Sequence, residues 1–251
     1  NPQDEFSDKK ETERLKVPII RTKQNIGIIP IGQGCLNKCD FCATKLARGN
    51  LVSYRIGDIK RALEECIKDN CKEIYLTSQD NGCYGFDITT NLPELLNELV
   101  TVKGDYKIRV GMMNPWHVIK ILDSLIKSYQ NEKIIKFLHI PVQSGSEKVL
   151  KSMKRIHTVE NFKLIVNKFR QEFPEISIAT DIIVGYPLET DKDFEETLDL
   201  IKEIKPEVIN ISKFSSRHGT EASKLKQLSS QMIDERSKKL NKLYQEIKSK
   251  L

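Results

Sequence analysis

The chain has 251 residues, 39% hydrophobic and 30% charged, with 41 Lys and Arg against 35 Asp and Glu for a formal charge of +6. That composition excludes a disordered tail, a collagen-like fibre and a coiled coil, and the length allows one large domain or two small ones without disulfide support. No run of about 18 apolar residues is present to form a membrane helix, and the modest positive charge suits a phosphate-bearing partner without demanding one.

In chain order, residues 1–25 are dense in charge and read as a surface lead-in or linker. Six short, β-branched apolar runs follow, at 26–31, 73–78, 107–111, 135–140, 176–184 and 207–211. Helical patterns fill the intervals at 57–69, 93–101, 116–128, 146–154 and 158–172, with 191–204 after the fifth run. Local signals mark helix starts: Ser144 and Glu147 have capping-box spacing, Asn91 precedes Pro93, and Thr190 precedes Asp191 and Asp193. A Lys-rich amphipathic helix over 224–250 closes the chain, with Leu225, Leu228, Met232, Leu240, Leu243 and Ile247 as its apolar face.

Strands separated by helices predict parallel βα units, because a parallel return needs a crossover. Runs such as 135–140 look apolar enough for burial on both faces. Six units are too few for a closed eight-fold barrel and fit a partial (β/α)6 barrel or an open sheet, with the ligand site at the carboxyl ends of the strands.

Directly after the first strand stand Gly32, Gly34, Cys35, Cys39 and Cys42. Three thiols within eight residues of a long, Lys/Glu-rich chain read as metal or cluster ligands in a reducing compartment, not as a disulfide framework. Three thiolates on one loop can ligate three corners of a [4Fe–4S] cube, leaving the fourth iron open to a small molecule, while the glycines let the backbone turn tightly. Zinc normally takes four protein ligands, and no fourth Cys or His has suitable local spacing. Cys66 falls in a helical pattern and reads as core. Cys71 and Cys83 have no partner assignable from spacing, and His139, His157 and His218 show no ligand spacing.

A CxxxCxxC loop at the end of the first strand of a βα repeat resembles the radical S-adenosylmethionine (SAM) superfamily. The resemblance narrows along the chain, through Thr44–Lys45, Ala47–Arg48–Gly49–Asn50, LTSQDNGCYG (76–85), GMMNP (111–115), FLHIPVQSGS (137–146), ATDIIVGYP (179–187) and FSSRHGTEA (214–222). Together these are similar to the tRNA methylthiotransferases, in the archaeal and eukaryotic branch acting on N6-threonylcarbamoyladenosine beside the anticodon. The resemblance implies a partial (β/α)6 radical SAM barrel over 26–222, with 223–251 as a helical extension. It implies a [4Fe–4S] cluster on Cys35, Cys39 and Cys42 that binds SAM at its open iron and cleaves it reductively with the help of an electron donor. One SAM donates a methyl group and a second supplies the radical that leads to the 2-methylthio product.

The resemblance also implies site residues. Phe41 flanks the SAM adenine or packs the loop. Ser78, Gln79 and Asp80 accept from the SAM amino group or form a turn before Asn81–Gly82. Gln143 and Ser144 contact ribose or carboxylate, Ser144 being equally a cap. Asp181, costly inside an apolar strand unless paired, takes a site role. Gly185 and Pro187 belong to the adenine-facing loop. Arg48, Arg55, Lys154, Arg155 and Arg217 face the SAM carboxylate or tRNA phosphates, whereas the other basic residues of 148–170 are mostly a solvated helix face. No segment matches the family's second, N-terminal cluster domain or its terminal RNA-binding barrel, and His218 stands where the family usually has Pro. The expected identity is thus the central catalytic part of a cytoplasmic tRNA methylthiotransferase. The rivals are a methylthiotransferase acting on a ribosomal-protein side chain and a non-enzymatic zinc or iron–sulfur module.

Overall fold

The computed structural model describes residues 25–249, and the expected lead-in over 1–25 falls almost wholly outside them. The strands are β1 (Ile26–Pro30), β2 (Gly32–Gln33), β3 (Val52–Ser53), β4 (Glu73–Thr77), β5 (Lys107–Val110), β6 (Phe137–His139), β7 (Ser177–Val184) and β8 (Val208–Lys213). The helices are α1 (Thr44–Arg48), α2 (Ile56–Lys68), α3 (Leu92–Leu99), α4 (Pro115–Tyr129), α5 (Glu147–Ser152), α6 (Val159–Glu172), α7 (Asp191–Ile204) and α8 (Ser230–Lys248). No helix among the described residues is long and apolar enough to cross a membrane.

Six strands pair in parallel and in chain order. β1, β4 and β5 form one sheet and β6, β7 and β8 another. A parallel bridge between Ile108 and Ile134 joins the two. Among the described residues no pairing joins β8 back to β1, so the sheet curves as a partial barrel without closing. The strand order never reverses, which brings all six carboxyl ends to one rim.

Alternation along each strand gives the sheet two unlike faces. Ile29, Ile74, Leu76, Ile108, Val110, Leu138, Ile178, Ile182 and Ile209 are buried against the helices in one continuous core. The helices supply matching stripes, such as Ile59, Leu63 and Cys66 on α2 and Phe162, Ile165, Val166 and Phe169 on α6. The opposite, concave face carries Ile28, Tyr75, Arg109, Phe137, His139, Asp181 and Asn210, none of them buried. Expected double-face burial at 135–140 is therefore corrected: Phe137 and His139 face the lumen while Leu138 and Ile140 are enclosed. Arg109 lays its guanidinium 4.0 Å from the centre of the Phe137 ring and 5.2 Å from that of Tyr75, which keeps a charge tolerable there.

Caps set the helix starts. Asn91 caps α3, Asn114 caps α4 ahead of Pro115, and Thr158 with Asn161 and Thr190 with Asp193 form capping boxes. The expected Ser144–Glu147 box does not form. The N-cap of α5 is Ser146, and its hydroxyl donates to Asp193 at 2.7 Å instead of capping. The closing helix starts at Ser230, where Ser229 accepts from the Met232 amide. Leu225, expected on that helix, packs outside it with Phe41, Tyr186 and Phe214.

Helix α8 is riveted to the rim. Arg236, 5% exposed, donates through Nη1 to Glu189 Oε2 at 2.7 Å and through Nη2 to Asp191 at 2.7 Å, and Glu189 in turn accepts from the Gly185 amide at 2.8 Å. Gly185 has φ 79°, and a Cβ there would stand 2.4 Å from Ile233 of α8. Arg236→Ala strands a buried carboxylate and is expected to cost about 3–5 kcal/mol in urea unfolding. Arg236→Lys, which keeps the charge and loses the fork, is expected to cost less.

Candidate active site

The cysteine loop leaves the end of β1 and is fastened at its base by the β2–β3 ribbon, where Gly32 pairs with Ser53. Gly34 has φ 69°, and a Cβ would sit 1.8 Å from the Asn50 carbonyl oxygen, so only glycine fits where the loop turns. The loop is then tied to distant elements: the Asp40 amide donates to Met153 and the Ala222 amide to Asp40.

Each of the three thiols is half-buried and receives one N–H group from a different source. Asn37 Nδ2 lies 3.7 Å from Cys35 Sγ, Arg155 Nη1 3.7 Å from Cys39 Sγ, and the Thr44 amide 3.4 Å from Cys42 Sγ. Burial raises the Cys35 and Cys39 thiols above their ordinary range, so both stay protonated until a cation takes the thiolate. Among the described residues, the one set of three His, Cys, Asp or Glu ligand atoms all within 4.8 Å of one another is Asp80, Cys83 and His117. The three loop thiols do not form such a set, whereas a single tetrahedral zinc with 2.3 Å bonds would bring its ligand atoms to ~3.8 Å of one another. Three thiols on one loop, each with an N–H partner, fit three corners of an iron–sulfur cube.

A cavity of about 490 Å³ opens beside the loop, lined by Phe41, Cys42, Thr44, Arg48, Gln79, Gln143, Asp181, Ile183, Lys213, Phe214 and Arg217 among others. Phe41, Ile183 and Phe214 form its apolar wall, and Phe41 also packs on the cluster that holds Tyr186 and Met153. Two amide oxygens, Gln79 Oε1 and Gln143 Oε1, are buried without a hydrogen-bond partner. An orphaned buried acceptor costs roughly 1–3 kcal/mol. Gln143 also holds φ 76°, a strained conformation outside glycine, at the bridge to Ile182. Asp181 lines the cavity as expected, and its burial is eased by His139 Nε2 at 2.8 Å and Asn210 Nδ2 at 2.7 Å, both to Oδ1.

Most of the other expected site residues stand elsewhere. Asp80 is 2% exposed, and its oxygens are already taken by the amides of Gly82 and Asn114 at 3.0 Å each and by Asn37 Nδ2 at 2.9 Å. It braces the loop from behind. Cys83, unassigned from sequence, donates its thiol to the Asp80 carbonyl, and His117 Nε2 meets Asn37 Oδ1 at 3.1 Å. With the Cys83 thiol donating inward and held well above its ordinary range by burial, and with His117 Nδ1 buried without a hydrogen-bond partner, this triad is a brace behind the loop. Ser144 is fully buried; its hydroxyl pairs with Thr197 and accepts from the Ser146 amide. Ser78 accepts from the Asp80 amide and borders a side cavity of about 290 Å³ that Arg48 and Gln79 also line. Arg155 points one nitrogen at Cys39 and the other at the Pro141 carbonyl, 2.8 Å away. Lys154 is paired with Asp40 at 2.8 Å, and Arg55 is exposed at the start of α2, outside the cavity lining. Arg48 and Arg217 line the cavity.

The sequence reading missed Asn37, His117 and Asn210. An asparagine between two clustered cysteines and a histidine three residues after a helix cap were visible, but nothing in their spacing says that they meet.

The family model for the radical SAM superfamily matches residues 29–201. A probable threonylcarbamoyladenosine tRNA methylthiotransferase of Pyrococcus horikoshii is 48% identical over 235 residues, 94% of this chain and 55% of that protein. The threonylcarbamoyladenosine tRNA methylthiotransferase of Homo sapiens is 44% identical over 232 residues, 92% of this chain and 40% of that protein. The chain thus spans about half the length of such relatives. Among solved structures, the radical SAM coproporphyrinogen III oxidase of Escherichia coli superposes with a TM-score of 0.66 at 16% identity, over 94% of this chain and 56% of that one. A radical SAM methyltransferase of Kitasatospora setae, with cobalamin and a [4Fe-4S] cluster bound, gives 0.64 at 15%, over 79% and 38%. At those identities the likeness shows the fold.

Below the cavity lies His157, 1% exposed, with Nε2 donating to the Val142 carbonyl at 3.3 Å and burial pushing its pKa down to about 3. The unfolded chain takes up this proton near pH 6.5 and the folded chain resists it, so stability present above pH 6.5 is lost as the pH falls. Between pH 7 and 4.5 that loss is about 2–3 kcal/mol. His157→Gln, which keeps the donor and cannot titrate, is expected to flatten the pH dependence of chemical unfolding by that amount.

Proposed function

The chain belongs to the radical SAM superfamily, and on that premise we propose that it is the catalytic core of a tRNA methylthiotransferase that converts N6-threonylcarbamoyladenosine to its 2-methylthio derivative. One observation carries the reading: three thiols on one loop adjoin a cavity lined by Gln79 and Gln143, whose side-chain oxygens have no hydrogen-bond partner among the described residues. The names of the relatives favour tRNA over a protein side chain as the substrate. In this reading Cys35, Cys39 and Cys42 hold a [4Fe–4S] cluster, SAM occupies the cavity, and an electron donor serves a cytoplasmic enzyme. Residues 26–222 form the catalytic domain, 223–251 extend it, and the whole protein's second cluster and RNA-binding module complete the reaction. When bound, the cluster supplies the electron that cleaves the SAM sulfonium.

The protein's own contribution is binding, orientation and exclusion of water. Gln79 and Gln143 accept hydrogen bonds from the ammonium or hydroxyl groups of SAM, which relieves the two buried orphans. Asp181 has Oδ1 occupied by His139 and Asn210 and so offers its other oxygen toward the cavity. Phe41, Ile183 and Phe214 give an apolar wall for an adenine ring and keep water from a reactive radical. The loop at Gly185 is held by Glu189 and Arg236 for the close approach of the cofactor. Arg48 and Arg217 are exposed at the rim and their guanidinium groups make no hydrogen bond or ion pair with any described residue, so they are free for phosphate.

Anaerobic reconstitution with iron and sulfide, followed by dithionite and SAM, is expected to yield 5′-deoxyadenosine, and Cys39→Ala none. Full-length protein given tRNA carrying N6-threonylcarbamoyladenosine is expected to yield the 2-methylthio nucleoside by mass spectrometry. A colourless zinc protein, or a loaded cluster that never cleaves SAM even with tRNA present, would overturn the assignment. Arg48→Ala combined with Arg217→Ala is expected to weaken tRNA binding in gel shifts and to reduce the salt slope by about one for each phosphate that is no longer neutralised.

A further inference from the structure

The brace behind the cysteine loop has one member that reaches forward. The Asn37 side-chain amide points Nδ2 at Cys35 Sγ, 3.7 Å away, and at Asp80 Oδ2, 2.9 Å away, while its Oδ1 meets His117 Nε2 at 3.1 Å. All three polar directions of the amide are therefore used, which leaves it one orientation. Asp80 is itself immobilised by the Gly82 and Asn114 amides, and His117 is 3% exposed on α4, edge-on to Phe86 with ring centres 5.5 Å apart. Through this chain of contacts the end of β4, the start of α4 and the cysteine loop hold one N–H group against one particular sulfur.

A neutral donor fixed on a cluster thiolate has an electrostatic consequence. Reduction adds negative charge that spreads onto the thiolate sulfurs, and an N–H dipole pointing at one of them stabilises the reduced form more than the oxidised form. We propose that Asn37, oriented by Asp80 and His117, is a positioning residue that sets the reduction potential of the cluster through Cys35. The proposal rests on the cluster assignment made above. It separates the three cysteines by role: Cys42 has the Thr44 backbone donor, Cys39 has the cationic Arg155, and Cys35 alone has a neutral side chain with a dedicated brace.

The test is an EPR-monitored redox titration of the reconstituted holoprotein, with iron and sulfide counted in every sample. Asn37→Ala is expected to keep wild-type iron content and to shift the reduction equilibrium about tenfold toward the oxidised cluster, a fall of about 59 mV for one electron. His117→Ala, which frees the amide to rotate, is expected to fall part of the way. His117→Gln, which restores a donor to Asn37 Oδ1, is expected to return to the wild-type potential. A fully loaded Asn37→Ala protein titrating with the wild type overturns the proposal and leaves the cluster assignment intact. Should Asn37→Ala fail to fold, equal potentials in His117→Ala and His117→Gln overturn it. A wild-type protein that takes up no cluster overturns both.

Discussion

A buried carboxylate organises this site. Asp80 sits at the end of β4 with both oxygens satisfied by groups from three places: the amide of Gly82 in its own turn, the amide of Asn114 at the start of α4, and the side chain of Asn37 in the cysteine loop. Burial pushes its pKa up to about 6, which records how much solvation it gives up despite three donors. An anion in such a place is tolerable only when fully hydrogen-bonded, and that requirement turns an otherwise free loop into a fixed platform for three thiols.

The division of the sheet into an apolar and a polar face explains why the cavity lies where it does. Helices cover the convex side and take up the hydrophobic half of the strands. The concave side is left with Arg109 against two rings and with Asp181 shared by His139 and Asn210, polar groups that partner one another across adjacent strands. Strand ends on that side can carry charge and open space toward one rim, because the core's stability is supplied from the other.

The C-terminal helix belongs to the same machinery. Most family-level signal lies within 29–201, yet α8 delivers Arg236 to Glu189 and Ile233 to Gly185. The loop expected to face adenine is therefore shaped on its outer side by a helix far along the chain. Its glycine answers to two close approaches at once, the backbone turn it makes and the side chain packed behind it.

Much of the fold was legible because its signals are local. β-branched runs, caps such as Asn91, Thr158 and Thr190, and amphipathic spacing depend on residues within a few positions of one another, and the parallel order follows from the alternation of strand and helix. Spacing likewise marked the three cysteines as a candidate ligand set, since all lie on one loop. Which polar residues face the cavity was not local. Asp80, Ser144 and Gln143 all stand at strand ends in polar stretches, and only the packed structure shows that Asp80 and Ser144 spend their hydrogen bonds inward while Gln143 keeps an oxygen without a partner. Pairs such as Asn37 with Asp80, 43 residues apart, and Glu189 with Arg236, 47 apart, are chosen by the arrangement of elements in space, because hydrogen bonds and desolvation depend on distances that sequence separation does not encode.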